Sequence, residues 1–195
     1  MKHLKKTLAA ALLAACSHSW AAPTLSLVTT PNPSQVGSVV DVDVRISDVT
    51  DLDTYSFSLN FDASVLRAIG ISAGGFLSTA GTTDFGYVAL DNTSGQVSYV
   101  YDTVLGPGPG ASGSGSLARI QFQAIGSGSS LFSFSDLLFL DSADPANDIT
   151  VTVAQSLPAI VTAAAEVPEP ASYALFGIGL FGAAALRRRS RAPRA

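Results

Sequence analysis

Aspartate is the residue type here with the most capacity for chemistry, and it comes in two runs. Asp141-Ser142-Ala143-Asp144-Pro145-Ala146-Asn147-Asp148 concentrates side-chain oxygens at Asp141, Asp144, Asn147 and Asp148. Calcium takes about six to eight oxygen ligands, so this loop is a candidate calcium site, without EF-hand spacing or a closing bidentate Glu. Asp and Asn also build turns between strands, helped here by Pro145, and that reading stands beside the first. The second run, Asp48-Val49-Thr50-Asp51-Leu52-Asp53, reads as a solvated turn. A polysaccharide-active hydrolase would need two carboxylates roughly 5–10 Å apart, one with a raised pKa. Between the two chain ends, only aspartates could supply them.

Other chemistries are excluded by inventory. Residues 23–165 contain no His, Cys, Lys, Glu, Trp or Met. A Ser-His-Asp or Cys-His arrangement lacks its base. A His- or Cys-ligated zinc site lacks its ligands, and a Schiff-base lysine is absent. No disulfide can form there, so stability must come from the core. The same stretch sets thirteen aspartates against Arg45, Arg67 and Arg119, a net −10 that the formal −4 of the whole chain hides. Such a domain repels phosphate backbones, so nucleic acid is not an expected partner. A non-catalytic binding or structural module with no cofactor is the expectation, calcium being the one candidate. A secreted hydrolase using Asp carboxylates is the alternative.

The elements that must position these residues are strands. In residues 39–46, Val40, Val42, Val44 and Ile46 alternate with Asp41, Asp43 and Arg45. In 54–61, Tyr55, Phe57, Leu59 and Phe61 alternate with Ser56, Ser58 and Asn60. In 118–124, Ile120 and Phe122 alternate with Arg119, Gln121 and Gln123. Weaker strand patterns cover 25–28, 65–71, 85–90, 96–102, 131–134, 137–140 and 149–153. Many short strands and no helical period imply an all-β, two-sheet sandwich over 23–158. Asp91-Asn92-Thr93-Ser94-Gly95 is an expected hairpin connection, residues 106–115 a mobile surface loop, and 159–166 the linker. Tyr99 and Tyr101 on one strand, and Phe132 and Phe134 on another, are expected in the core. Ser56, Ser58 and Asn60, with Gln121 and Gln123, are expected to form an exposed polar face.

Both chain ends read as targeting segments. Lys2, Lys5 and Lys6, the apolar stretch 7–15 and Ser19-Trp20-Ala21 make a signal peptide over 1–22, cut after Ala21 or Ala22. Leu13-Ala14-Ala15-Cys16 resembles a lipobox, which leaves lipidation of Cys16 as an alternative. At the other end, Val167-Pro168-Glu169-Pro170 precedes an apolar run, 171–186, then Arg187, Arg188, Arg189 and Arg191. That run is slightly short of the ~20 residues of a full crossing, and the arginines would stay cytoplasmic.

This tail, residues 167–195, closely resembles the PEP-CTERM sorting signal of Gram-negative bacteria. The resemblance implies a C-terminal membrane helix, processing by an exosortase-type enzyme, and export through the inner membrane to the cell surface or beyond. It also implies association with extracellular polysaccharide and biofilm matrix. Three further segments resemble the cohesin-like domains: Val36-Gly37-Ser38-Val39-Val40-Asp41-Val42-Asp43-Val44, then Tyr55-Ser56-Phe57-Ser58-Leu59-Asn60-Phe61-Asp62 with Val65-Leu66 after it, then Gly113-Ser114-Gly115-Ser116-Leu117-Ala118-Arg119-Ile120-Gln121-Phe122-Gln123-Ala124. That resemblance implies a nine-stranded jelly-roll sandwich acting as a binding module. Classical cohesins hold the dockerin modules of cellulose-degrading complexes. A matrix polysaccharide or a surface protein is the expected partner.

Overall fold

Alternating β-branched and aromatic residues do become strands. The computed structural model describes residues 22–164, and nearly all of it is β. In chain order the strands are β1 (Thr24–Thr30), β2 (Ser34–Gln35), β3 (Val39–Asn60), β4 (Leu66–Ala73), β5 (Ala89–Asp91), β6 (Gln96–Thr103), β7 (Ala111–Ala124), β8 (Gly128–Ser130), β9 (Ser133–Asp141), β10 (Thr152–Val153) and β11 (Ala159–Thr162). Nine of these are three residues or longer; β2 and β10 are two-residue pairings. Cys16, the Val167–Pro170 motif, the apolar run 171–186 and Arg187, Arg188, Arg189 and Arg191 lie outside the described residues.

β3 organises the sandwich. Its first half pairs with β1 on one side and β7 on the other. Its second half pairs with β6 and β9. Adding β10 and β4 to the first half and β5 to the second gives two layers, β10-β1-β3-β7-β4 and β5-β6-β3-β9, joined through one strand. A small sheet, β2-β11-β8, completes the described fold.

The crossing corrects the solvated turn expected over 48–53. That stretch is strand throughout, bent by irregularities between Ile46 and Val49 and between Val49 and Leu52. Asp48 and Asp51 take left-handed φ values of 57° and 59° at these points. Val40, Val42, Val44 and Ile46 are buried at even positions, but Tyr55, Phe57 and Leu59 at odd ones. A regular strand cannot change parity, because side chains alternate with period two. Bulges insert the extra residues, and strands that switch sheets in sandwiches bend at such places.

The neighbours of the crossing hold it. The Asp48 N–H donates to Ser114 Oγ at 3.0 Å, and the Asp51 N–H to Ser112 Oγ at 2.9 Å. The Asp51 carboxylate accepts from the Gly110 N–H at 2.6 Å and from the Ser142 hydroxyl at 2.9 Å. Gly110 must be glycine, since a Cβ would come within 2.5 Å of the Leu52 backbone. The loop expected over 106–115 is therefore shorter. β7 already begins at Ala111, because Ser112 and Ser114 are needed against β3.

The linker expected over 159–166 also starts later. Ala159–Thr162 is β11, paired with β8 and β2, and Ala159 and Val161 are buried. Asn32 clamps it, donating to the Pro158 carbonyl and accepting from the Ile160 N–H, each at 2.9 Å. Phe132 and Phe134 join the core as expected, Phe134 edge-on to Phe57 at 5.5 Å. The hairpin at Asp91–Gly95 also stands between β5 and β6, with Asp91 accepting from the Thr93 and Ser94 N–H groups.

Candidate interaction face

The outer surface of β5-β6-β3-β9 is built around short side chains on β3. Ser56 lies between Tyr101 of β6 and Leu138 of β9, and Thr54 between Thr103 and Leu140. Ser58 is flanked by irregularities on both neighbours. The β6 register slips opposite it, with Tyr99 at φ 47°. The β9 register slips on the other side, with Asp136 at φ 53°. The Ser58 hydroxyl accepts the Tyr99 N–H at 3.1 Å, which satisfies the bulged backbone. Ser58 is fully buried in doing so, which corrects its expected exposure.

Tyr99 and Tyr101 are likewise not core residues. Val97, Val100 and Asp102 take the inward positions of β6, leaving the two tyrosines 51% and 38% exposed. Gly86 allows the Tyr101 ring to lie across the neighbouring edge, since a Cβ there would meet the ring hydroxyl at 2.6 Å. Leu137 and Leu138 are exposed on β9, and Tyr87 and Val88 on the segment before β5. The face thus has a floor of Ser and Thr between apolar flanks. Asp84, Asp136 and Asp148 are exposed around it. Asp84 is hydrogen-bonded through its N–H to the Thr103 carbonyl, and Asp148 is bridged to Leu140.

The outer surface of β10-β1-β3-β7-β4 differs. Gln121 and Gln123 are exposed there, on the sheet opposite Ser56 and Asn60 and not beside them as expected. Gln121 donates to Asp41 at 3.1 Å, Arg45 pairs with Asp43 at 3.1 Å, and the Ser116 hydroxyl donates to Asp43. Asp41, Asp43 and Arg45 are thus satisfied within the sheet, while Arg67 and Arg119 are exposed, as are Val28, Val39 and Ile69.

Of the calcium candidates, Asp141 and Asn147 meet, but they hydrogen-bond to each other. Asp141 accepts from the Asn147 N–H at 2.7 Å, the Asn147 side chain at 2.9 Å and the Ala143 N–H at 3.1 Å. The Asn147 backbone bond, above all, holds its pKa below the usual carboxylate value. Asp141 therefore caps its own turn, and among the described residues no three acidic, His or Cys side chains are placed to hold a metal.

Asp102 comes nearest to a general acid. Burial, chiefly, raises its pKa, Asp84 adds to the rise, and hydrogen bonds from Thr83 and Thr103 oppose it. At 2% exposure no substrate reaches it, so it does not supply a hydrolase site. It lies close to Tyr55, whose hydroxyl donates to the Leu117 carbonyl at 2.6 Å. Burial, and then Asp102, pushes the Tyr55 pKa up.

Sequence reasoning missed the flanks of the face, Leu137, Leu138, Tyr99 and Tyr101. Leu137-Leu138-Phe139-Leu140 is a continuous apolar run with no period of two, so nothing in it distinguishes the outward leucines from the buried Phe139.

A family model described as a cohesin domain matches residues 24–156. One described as a PEP-CTERM protein-sorting motif matches 166–189. No curated protein sequence matches the chain. Among solved structures, the chain resembles the second type II cohesin module from the adaptor ScaA scaffoldin of Acetivibrio cellulolyticus. The TM-score is 0.60 at 16% identity, over 78% of this chain and 96% of that one. It also resembles a non-cellulosomal cohesin from the hyperthermophilic archaeon Archaeoglobus fulgidus, with TM-score 0.55 and 16% identity over 78% and 96%. A third likeness is the sixth cohesin of A. cellulolyticus scaffoldin B, solved in complex with a mutant Cel5 dockerin. Its TM-score is 0.56 at 23% identity, over 74% and 100%.

Proposed function

The chain belongs to the cohesin domain family, and from that we propose a non-catalytic, surface-sorted module that binds a partner protein through the outer face of β5-β6-β3-β9. The observation that carries the reading is the exposure of two aromatic rings, Tyr99 and Tyr101, with Leu137 and Leu138 around Ser56, whereas the strands of the other sheet expose single aliphatic residues, Val28, Val39 and Ile69, and no ring. Aromatic and apolar groups that remain uncovered on one sheet face mark interaction surfaces. Cohesins of the same fold have been solved with dockerins, which makes a protein ligand the first class to test.

The PEP-CTERM motif supplies the address. Pro168 and Pro170 would keep the motif extended, since the residue before a proline is disfavoured in helix. Glu169 would then be presented to an exosortase-type enzyme, with 171–186 in the membrane and Arg187, Arg188, Arg189 and Arg191 on the cytoplasmic side. A second reading, matrix polysaccharide in a biofilm, draws on the exposed rings of Tyr87, Tyr99 and Tyr101, each able to stack on a sugar.

Site-specific photo-cross-linking in cells tests the face. A photoreactive analogue replacing Tyr101 or Leu138 is expected to trap a partner, and the same analogue replacing Gln121 is not. Equal trapping from Gln121 removes the case for this face. For the address, intact mass of a Glu169→Ala variant is expected to show an uncut tail; normal processing defeats the sorting role.

A further inference from the structure

The charges of the two sheets are unevenly placed. All three arginines of the domain, Arg45, Arg67 and Arg119, lie on β3's first half, β4 and β7. Among the described residues, none lies on β5, β6, β9 or β3's second half, and residues 23–165 have no lysine at all. Around the apolar flanks stand the exposed carboxylates of Asp84, Asp136 and Asp148. Among the described residues the only ion pair is Arg45–Asp43, on the other sheet. The rim of the candidate face is therefore anionic and uncompensated, around apolar flanks and a Ser/Thr floor.

Resting on the binding face proposed above, we infer the chemistry of its partner: a protein surface whose apolar side chains are ringed by lysine or arginine. The apolar side chains answer the flanks, Tyr99, Tyr101, Leu137 and Leu138. The basic ring answers Asp84, Asp136 and Asp148. Interfaces arrange opposite potentials across the contact, which raises the encounter rate and turns away like-charged surfaces. A uronate-bearing polysaccharide or an acidic protein would meet three free carboxylates with no cation to offset them. A neutral glycan stacking on tyrosines would be indifferent to those carboxylates.

The test is selection of a displayed random-peptide library on the immobilised full chain in neutral detergent at low salt. Binders are kept only if they fail on a Tyr101→Ala, Leu138→Ala double variant. These face-dependent binders are expected to carry Lys and Arg at about threefold or more over the unselected library, with Asp and Glu depleted. Their affinity should fall about tenfold in 0.5 M salt, where the screening length shrinks to roughly 4 Å. It should fall comparably on an Asp84→Asn, Asp136→Asn, Asp148→Asn variant. Face-dependent binders with no basic bias would overturn the inference and leave the face standing. Basic binders that survive the Tyr101, Leu138 double variant would place the charge effect elsewhere and overturn it as well. If no binder depends on the face, while a neutral soluble glucan binds and is lost with Tyr101→Ala, both the inference and the protein-binding reading fall.

Discussion

The two halves of β3 carry two different outer surfaces. Before the crossing, β3 turns Asp41, Asp43 and Arg45 outward, and those charges are taken up by Gln121, Ser116 and each other. After it, the strand turns Thr54 and Ser56 outward between tyrosines and leucines that nothing covers. The first surface has more charge, and its exposed apolar residues, Val28, Val39 and Ile69, include no aromatic ring. Potential for binding lies in what a surface leaves unmatched, here exposed rings, bulged edges and lone carboxylates, and not in its polarity.

The comparison breaks most severely at the joint between the halves. Asp51→Ala is expected to cost about 3 kcal/mol, because it removes a charged acceptor from a backbone N–H and a hydroxyl that are then left unpaired. Urea unfolding measures the loss, and hydrogen exchange at Gly110 and Ser142 should quicken with it. A cost below about 1 kcal/mol would mean that the sheets hold their crossing without this carboxylate.

Next in size is the buried acid beneath the second surface. Because the folded-state pKa of Asp102 is raised, the folded protein binds more protons than the unfolded chain does. Its contribution to stability is then fully present below the unfolded carboxylate value of 3.8 and lost as pH rises through the folded value. Asp102→Asn should stabilise the domain by about 1 kcal/mol at pH 7, since a buried charge with no cation beside it is removed while a side-chain oxygen remains to accept from Thr103. The gain should fade below pH 3.8. Asp62, Asp91 and Asp141 run the other way. Ser64 and Ser94 hold the first two low mainly through their hydroxyls, and Asn147 holds the third through its N–H. Their contribution is present above 3.8 and lost as pH falls through their depressed values. Thermal unfolding of both proteins from pH 3 to 8 checks the sign. A destabilised Asp102→Asn at neutral pH would show that Asp102 is better compensated than its partners suggest.

A smaller effect separates folding from binding. Leu138→Ala on the second surface and Gln121→Ala on the first should each change stability by about 0.5 kcal/mol or less, as exposed substitutions do. Only Leu138→Ala should weaken the partner. If both weaken it equally, the two surfaces are not functionally distinct.

Much of this was legible in the sequence. The periods of 39–46 and 54–61 announced both halves of β3, and even their opposite parity was visible. What periodicity could not say is that one strand carries both. Joining them takes two left-handed residues whose N–H groups are met by Ser112 and Ser114, some sixty positions away. For the same reason, residues 106–115 read as a loop although half of them pair with the crossing. Tyr99 and Tyr101 read as core because aromatic residues on a strand usually bury. A single slip opposite Ser58 reverses that, and no local pattern reports the register of a partner strand. The acidic loop at 141–148 offered metal-binding residue types, but a carboxylate turned back on its own backbone reads identically in sequence.

The smallest effect sharpens the joint itself. Asp48 and Asp51 share nearly the same backbone, with φ values of 57° and 59°. Both donate their N–H groups to serines of β7. They differ only beyond the backbone: Asp48 is exposed, and among the described residues its carboxylate accepts no hydrogen bond. Glycine reaches positive φ without a Cβ penalty but has more freedom to lose on folding, and the two terms oppose each other at about the same size. Asp48→Gly should therefore leave stability within about 0.3 kcal/mol of the parent, whereas Asp51→Gly should lose nearly as much as Asp51→Ala. Parallel denaturation of the three variants decides what the joint is made of. Matching losses at 48 and 51 would make the bend a matter of backbone conformation alone; a loss confined to 51 would make it a matter of one carboxylate holding β3, β7 and the end of β9 together.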